Sequence, residues 1–309
     1  MITGRSTLAG ILVLGLLVAG SAGCGSSETT RSRPSRPSTT TPKSAKSEAP
    51  TKPSGSGDVG SGETATAGAS DEGTASGDWG TLRGRFVYDG SAPSPSPIQV
   101  TKDVDFCGKH NLVDESLVVN AGGGLANVVV WLYEKPSKIH PSYDEGASES
   151  VVLDNENCRF EPRVCVVRTT QALKVTNSDP VGHNTKADLF SNASFNPIIP
   201  ANSSIDIKLE QPERLPGHVS CSIHPWMSGW LVVRDDPYVA VSDGDGNFEL
   251  KDLPAGNLTL VAWQEKSGYI TKVSIDGKAT EWGKGRFEYN VRGGDNDLGE
   301  IKIKPTVFQ

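Results

Sequence analysis

Residues 217–235 read GHVSCSIHPWMSGWLVVRD. Within them Cys221, His224 and Met227 form a Cys-x2-His-x2-Met array, and the apolar run 230–233 follows at once. A thiolate, an imidazole and a thioether on one short loop are a soft donor set, suited to copper far better than to magnesium, calcium or carboxylate-bound iron. Met227 is the only methionine after Met1, which sets it apart from the flexible filler that methionine supplies in cores. The run 230–233 reads as a buried strand, with Cys221 at the end of the strand before the loop.

One thiolate, one imidazole and a weak thioether leave copper short of a strong ligand. His183 is the best candidate for it. It lies in VTNSDPVGHNT (175–185), where a strand gives way to a proline-containing loop able to fold over the end of a sandwich. Asn184 follows it directly.

A strand-end His-Asn paired with Cys-x2-His-Pro-Trp-Met and a following Gly-x-Leu-Val-Val strand resembles the blue copper proteins (cupredoxins), the amicyanin and plastocyanin branch in particular. The resemblance covers roughly residues 159–235. It implies a mononuclear type 1 copper site with His183 and His224 as imidazole ligands, Cys221 as thiolate and Met227 as weak axial ligand. Asn184 takes the place of the family's Asn, which ties the His loop to the Cys loop. The resemblance implies a one-electron carrier, with His224, beside Pro225 and Trp226, at an exposed electron port and docking rim, and Trp230 adding to that rim. Other copper chemistries fit less well. A binuclear purple site needs a second cysteine where Gly217 stands, and multicopper oxidases need His pairs that a chain with five histidines and no His-x-His lacks. Zinc on Cys221, His224 and His183 leaves Met227 unexplained.

The N-terminus reads as an export signal over residues 1–23: Arg5, the apolar stretch 8–19, then Ser21-Ala22-Gly23-Cys24. That stretch is short of the roughly 20 residues a membrane-spanning helix needs. Small residues before a cysteine resemble a bacterial lipoprotein box, which implies lipidation of Cys24 and a membrane-anchored protein of the cell envelope or periplasm. Ser21 stands where that pattern prefers Leu, so ordinary signal cleavage stays open. Residues 24–78 are rich in Ser, Thr, Pro and Gly and hold no aromatic residue, the composition of a disordered tether. Residues 1–78 balance seven basic against seven acidic side chains, so the net −7 sits on residues 79–309. Such a surface argues against a nucleic-acid partner. The expected partner is a redox protein, such as a c-type cytochrome or a redox enzyme, with membrane contact only through the lipid.

From residue 79 onward short apolar or alternating runs recur without helical periodicity, the pattern of an all-β sandwich protein. We expect a cupredoxin-like domain over 79–235 (core 157–235), with 79–135 a segment to be shared with the next module, and a smaller sandwich over 236–309. The stretch DPYVAVSDGDGNFELKDLPAGNLTLVAWQE (236–265) resembles the carboxypeptidase-regulatory (transthyretin-like) module, an accessory without catalytic residues. Asp243, Asp245 and Asn247 read as a turn, because the calcium loop they imitate lacks its Gly and its final Glu. Export makes a Cys107–Cys158 or Cys158–Cys165 disulfide the preferred use of the remaining cysteines, Cys165 otherwise being a buried thiol. His218 and His140 read as surface residues. No nucleophile–base pair or carboxylate pair accompanies the loop, so the expectation is not an enzyme. The competing readings are copper storage or delivery, and a structural surface protein with little redox use.

Overall fold

A computed structural model describes residues 77–309. The expected signal over 1–23, Cys24 and the tether up to residue 76 lie outside the described residues. The described chain is almost entirely β and belongs to one compact unit.

Four sheets stack with three apolar layers between them. The first is five-stranded, and its second strand is Trp79–Tyr88, paired antiparallel to the edge strand Asn247–Pro254 and parallel to the central strand Gly294–Ile303. Alternation along Trp79–Tyr88 turns Leu82, Phe86 and Tyr88 inward. They meet Val130, Leu132, Leu260 and Ala262 of a second sheet, built around Val129–Leu132 and Gly256–Gln264. The third sheet runs Val164–Arg168, Ser228–Arg234, Gly217–Ser220, Lys186–Asp188, and the fourth Ser203–Lys208, Ala172–Asn177, Val151–Glu156, Arg159–Glu161. Leu153, Leu173 and Val175 of the fourth sheet pack on Val167, Val219, Leu231 and Val233 of the third.

The layer between the second and third sheets explains the two apolar runs that do not alternate. All four residues of Val129–Leu132 are buried because Val130 and Leu132 face one layer while Val129 and Trp131 face the next. In the same way Leu231 and Val233 enter the inner layer of the third and fourth sheets, while Val232 packs with Val164, Val261 and Trp263. A strand covered on both faces has no reason to alternate.

This topology redraws the expected boundaries. Trp79–Tyr88 and Val129–Leu132 pair with strands of the C-terminal stretch, so one sandwich is built from both ends of the described chain and residues 151–234 are inserted into it. The physical reason is pairing: Trp79–Tyr88 is an interior strand that both C-terminal neighbours need to satisfy their backbone groups. The inserted sandwich begins at Val151, earlier than the expected core at 157. Residues 117–119, apolar in sequence, form no strand; Val119 makes an isolated bridge to Leu125 and Val118 O accepts from Ala126 N.

Candidate metal centre

Strands Gly217–Ser220 and Ser228–Arg234 form a hairpin whose last paired residues are Ser220 and Ser228. Cys221 to Met227 is therefore its loop. Cys221 N donates to Met227 O at 3.3 Å and Met227 N to His224 O at 2.9 Å, so the loop closes on itself and keeps Cys221 and His224 side by side. His183 opens the short strand His183–Asn184, which pairs with Ile198–Ile199. The turn before it is held by Asn177, whose amide donates to Val181 O and Ile199 O and accepts from Asp179 N.

The structure brings three of the four predicted ligands, His183, Cys221 and His224, together. His183 Nδ1 and His224 Nδ1 are 2.9 Å apart, and Cys221 Sγ is 3.9 Å from His224 Nδ1. One donor atom from each of the three residues lies within 4.8 Å of the others. The exposures of His183, Cys221, His224 and Met227 are 0%, 2%, 0% and 1%, and Met227 shares an apolar cluster with Cys221. Asn184 bridges the two loops: its Oδ1 accepts from Ser222 N at 2.8 Å and Ile223 N at 3.2 Å, and its amide donates to Asn196 Oδ1. Cys221 Sγ lies 3.4 Å from Asn184 Oδ1 and accepts from His224 N at 3.4 Å.

Each imidazole is held from behind by a carboxylate that the sequence reading missed. His183 Nε2 is 2.9 Å from Asp179 Oδ2, and His224 Nε2 is 2.8 Å from Asp103 Oδ2. An ionised carboxylate only accepts, so each Nε2 carries a proton and each Nδ1 is left facing the other ring and the Cys221 sulfur. Two ring nitrogens 2.9 Å apart, with sulfur beside them and no water-exposed surface, need positive charge between them, which a shared proton or a bound soft cation supplies. The donors thus fit a soft cation. The electrostatics run the same way. Burial opposes ionisation of Cys221, but hydrogen bonds from His183, His224 and backbone N–H groups outweigh it and push the thiol pKa down. Burial likewise opposes charge on His183, yet its contacts with Asp179 and Cys221 draw its pKa up. Asp179, desolvated but bonded to His183 and to the N–H groups of Cys158 and Asn157, stays below the usual carboxylate range.

Some expectations need correction, while those for the disulfide, Cys165 and the Asp243 turn hold. His224 was placed at an exposed port; it is buried, because the segment carrying Asp103 covers its ring edge. Pro225 is exposed, but Trp226 is half-buried, its Nε1 donating to Cys158 O at 3.2 Å. Trp230 is at no rim: it meets Trp263 edge-on at 4.8 Å and donates to Glu265. His218 is half-buried and bonds Ser228 Oγ at 3.0 Å. His140 caps a short turn and packs on Trp79. Cys107 and Cys158 are joined in a disulfide, and Cys165 is a buried free thiol. Asp243 to Asn247 is a turn in which Asp243 Oδ1 accepts from Asp245 N and Asn247 N. The grouping of Cys158 with Asp179 and His183 offers no thiolate, since Cys158 is in the disulfide. Asp179, four residues before His183, had a faint signal in its loop; Asp103, 121 positions before His224, had none.

Comparison with protein-family models finds no match, and no curated protein matches the chain. Among solved structures the chain is similar over part of its length to cupredoxin-type copper proteins. One is a copper-containing nitrite reductase from Thermus scotoductus, at 21% identity and TM-score 0.25, covering 27% of this chain and 22% of that one. Another is an amicyanin variant in its Cu(I) form, at 17% identity and TM-score 0.25, covering 28% of this chain and 82% of amicyanin. A purple cupredoxin from Nitrosopumilus maritimus matches at 21% identity and TM-score 0.23, over 28% of this chain and 99% of its own. The chain spans about a fifth of the reductase's length.

Proposed function

We propose that this chain is an exported copper protein that carries single electrons. The observation behind the reading is the convergence of His183 Nδ1, His224 Nδ1 and Cys221 Sγ in a buried pocket beside Met227. Copper held there would supply one-electron chemistry between Cu(I) and Cu(II), and a two-imidazole, one-thiolate set with a weak thioether suits both states.

The chain's own residues act as a rigid holder. Asn184 ties the Cys221 loop to the His183 strand, so neither half of the donor set moves alone. Asp179 and Asp103 orient the two rings with Nδ1 inward, and full burial keeps water out. Trp226, whose ring centroid is 5.2 Å from that of His224, extends toward a cleft also lined by Glu115, Arg159 and Arg163, and gives an electron a way out that does not need an exposed histidine. The partner is then an envelope redox protein, reached by a protein anchored through a lipid on Cys24. The sandwich built from the chain ends, carboxypeptidase-regulatory-like in its sequence, contributes no donor atom and serves as support. No enzymatic role is proposed.

A second reading, copper storage or delivery, is favoured by the cover over His224, which suits holding an ion more than passing an electron. Adding Cu(II) to the purified full chain tests the site. An intense thiolate-to-copper visible band, lost in Cys221→Ser and in His183→Ala, is expected; a colourless product overturns copper binding of this type. Reversible voltammetry with fast exchange then supports the carrier, and slow or irreversible exchange supports storage.

A further inference from the structure

We infer that the Cys107–Cys158 disulfide is a clamp that holds both carboxylate–imidazole pairs, with Asp103 the positioning residue for His224. This rests on the copper reading above, and goes beyond the ligand set to what orients it.

Asp103 starts the short helix Val104–Cys107, with Phe106 N and Cys107 N donating to Asp103 O at 2.9 and 2.8 Å. One helical turn therefore fixes the distance between the carboxylate and the Cys107 half of the disulfide. On the other half, Cys158 N and Asn157 N donate to Asp179 at 2.8 and 2.6 Å, and Asp179 in turn holds His183. A single S–S bond thus joins two relays, Cys107 to Asp103 to His224, and Cys158 to Asp179 to His183. Its surroundings are apolar and near the site: Cys107, Leu112 and Cys158 pack with Val100, Phe106 and Trp226. Asp103 itself sits at φ 43°, in the left-handed region, which Asp tolerates better than most residues and which a free loop has little reason to keep.

The cover has a visible effect. Ser222, Ile223 and Pro225 are exposed, yet His224 between them has 0% exposure. Without the segment around Asp103 the ring's Nε2 edge would meet water, and the ring would be free to turn its other nitrogen inward. A charged acceptor behind the ring also strengthens its donor nitrogen and favours the more highly charged copper state, so removing it raises the reduction potential.

The test uses full-length protein, Asp103→Asn, Asp103→Ala and the double variant Cys107→Ser/Cys158→Ser. In metal-free wild type, nitrogen–proton correlation spectra should show slowly exchanging Nε2–H signals from both His183 and His224. Asp103→Ala should lose the His224 signal alone, and the double variant should weaken both. Asp103→Asn, which keeps an acceptor oxygen and loses the charge, should retain the His224 signal. With copper, Asp103→Ala should bind Cu(II) about tenfold more weakly. A tenfold change in the preference between copper states corresponds to an upward shift of about 59 mV. Both His signals unchanged in Asp103→Ala and in the double variant would overturn the clamp, whether or not copper binds. A wild type that shows the signals but forms no thiolate–copper band refutes the copper reading instead, and leaves the clamp standing on the metal-free result.

Discussion

Removing the side chain of Asn184 should separate the two halves of the centre at a calculable cost. Asn184→Ala leaves the N–H groups of Ser222 and Ile223 without their acceptor, and Asn196 Oδ1 without its donor. A typical intramolecular hydrogen bond contributes about 0.5–1.5 kcal/mol net, and an orphaned buried group costs more. Ser222, Ile223 and Asn196 are exposed residues, so water replaces part of what is lost. The expected total is about 2 kcal/mol, which in a folded region of this size lowers Tm by roughly 4–8 °C. Asn184→Asp is the informative contrast. Its oxygen still accepts from Ser222 and Ile223, and a rotated Asn196 amide can donate to the new carboxylate, so its cost should stay below about 1 kcal/mol. It also places a negative charge about where Asn184 Oδ1 sits, 3.4 Å from Cys221 Sγ, which disfavours the thiolate. Urea unfolding of the metal-free full chain, followed by tryptophan fluorescence, measures the first effect, and thiol titration by ultraviolet absorbance the second. If Asn184→Ala is silent, or the Asp variant is destabilised as much as Ala, the cross-loop role assigned to Asn184 is wrong.

Leu231→Ala, at a residue with 0% exposure between the third and fourth sheets, should cost about 2–5 kcal/mol, while Val152→Ala, at 46% exposure, should stay within about 0.5 kcal/mol; urea midpoints compare them. Burial pushes the Cys165 thiol up to about 12, so in metal-free protein at pH 8 iodoacetamide should modify Cys221 before Cys165, as peptide mass spectrometry would read; equal rates would refute it. Glu213 is desolvated, but bonds from the Asn192 side chain and from the N–H groups of residues 190–192 hold its pKa below the ordinary value. Its stabilising contribution is therefore complete above the ordinary carboxylate pKa and is lost as pH falls through the folded value. Glu213→Gln should accordingly flatten the acid side of a stability-versus-pH curve, and an unchanged slope would count against those bonds.

The donor set was legible because its information is local. Cys221, His224 and Met227 sit on one hairpin loop, and His183-Asn184 on another, so residue type and spacing carry the chemistry. The disulfide was half legible, through export and the small number of cysteines. Sharing of 79–135 with the second module was an expectation, but the strand pairing that makes 151–234 an insertion was not legible, because Trp79–Tyr88 meets Gly294–Ile303 through contacts more than two hundred residues apart that leave no periodic mark. The same holds for Asp103, whose role exists only once the disulfide has brought its helix turn over His224. Two- and three-residue strands such as His183–Asn184 and Lys186–Asp188 are too short to show alternation. The two non-alternating runs could be read as buried, but which layer each face entered was a property of the stack.

That stack gives the sandwich made from the chain ends a physical part in the centre without lending it a ligand. Ser228 follows Met227 and opens the strand that carries Trp230. Arg163 donates to Ser228 O at 3.2 Å and makes a two-pronged pair with Glu265 at 2.6 and 2.9 Å; Trp230 Nε1 donates to the same carboxylate at 3.0 Å. Glu265 follows directly on strand Gly256–Gln264 of the other sandwich, and Trp263 of that strand meets Trp230. Arg163 and Glu265 are largely shielded from water, so this pair resists screening more than an exposed one would. The hairpin is therefore held from two directions: across the loop by Asn184, and along its outgoing strand by Arg163, Glu265 and Trp263. On the proposed electron-carrier reading, a site that keeps one geometry in two oxidation states would need both restraints, because a hinge at Ser228 would let Met227 move even with the Cys221 loop tied down.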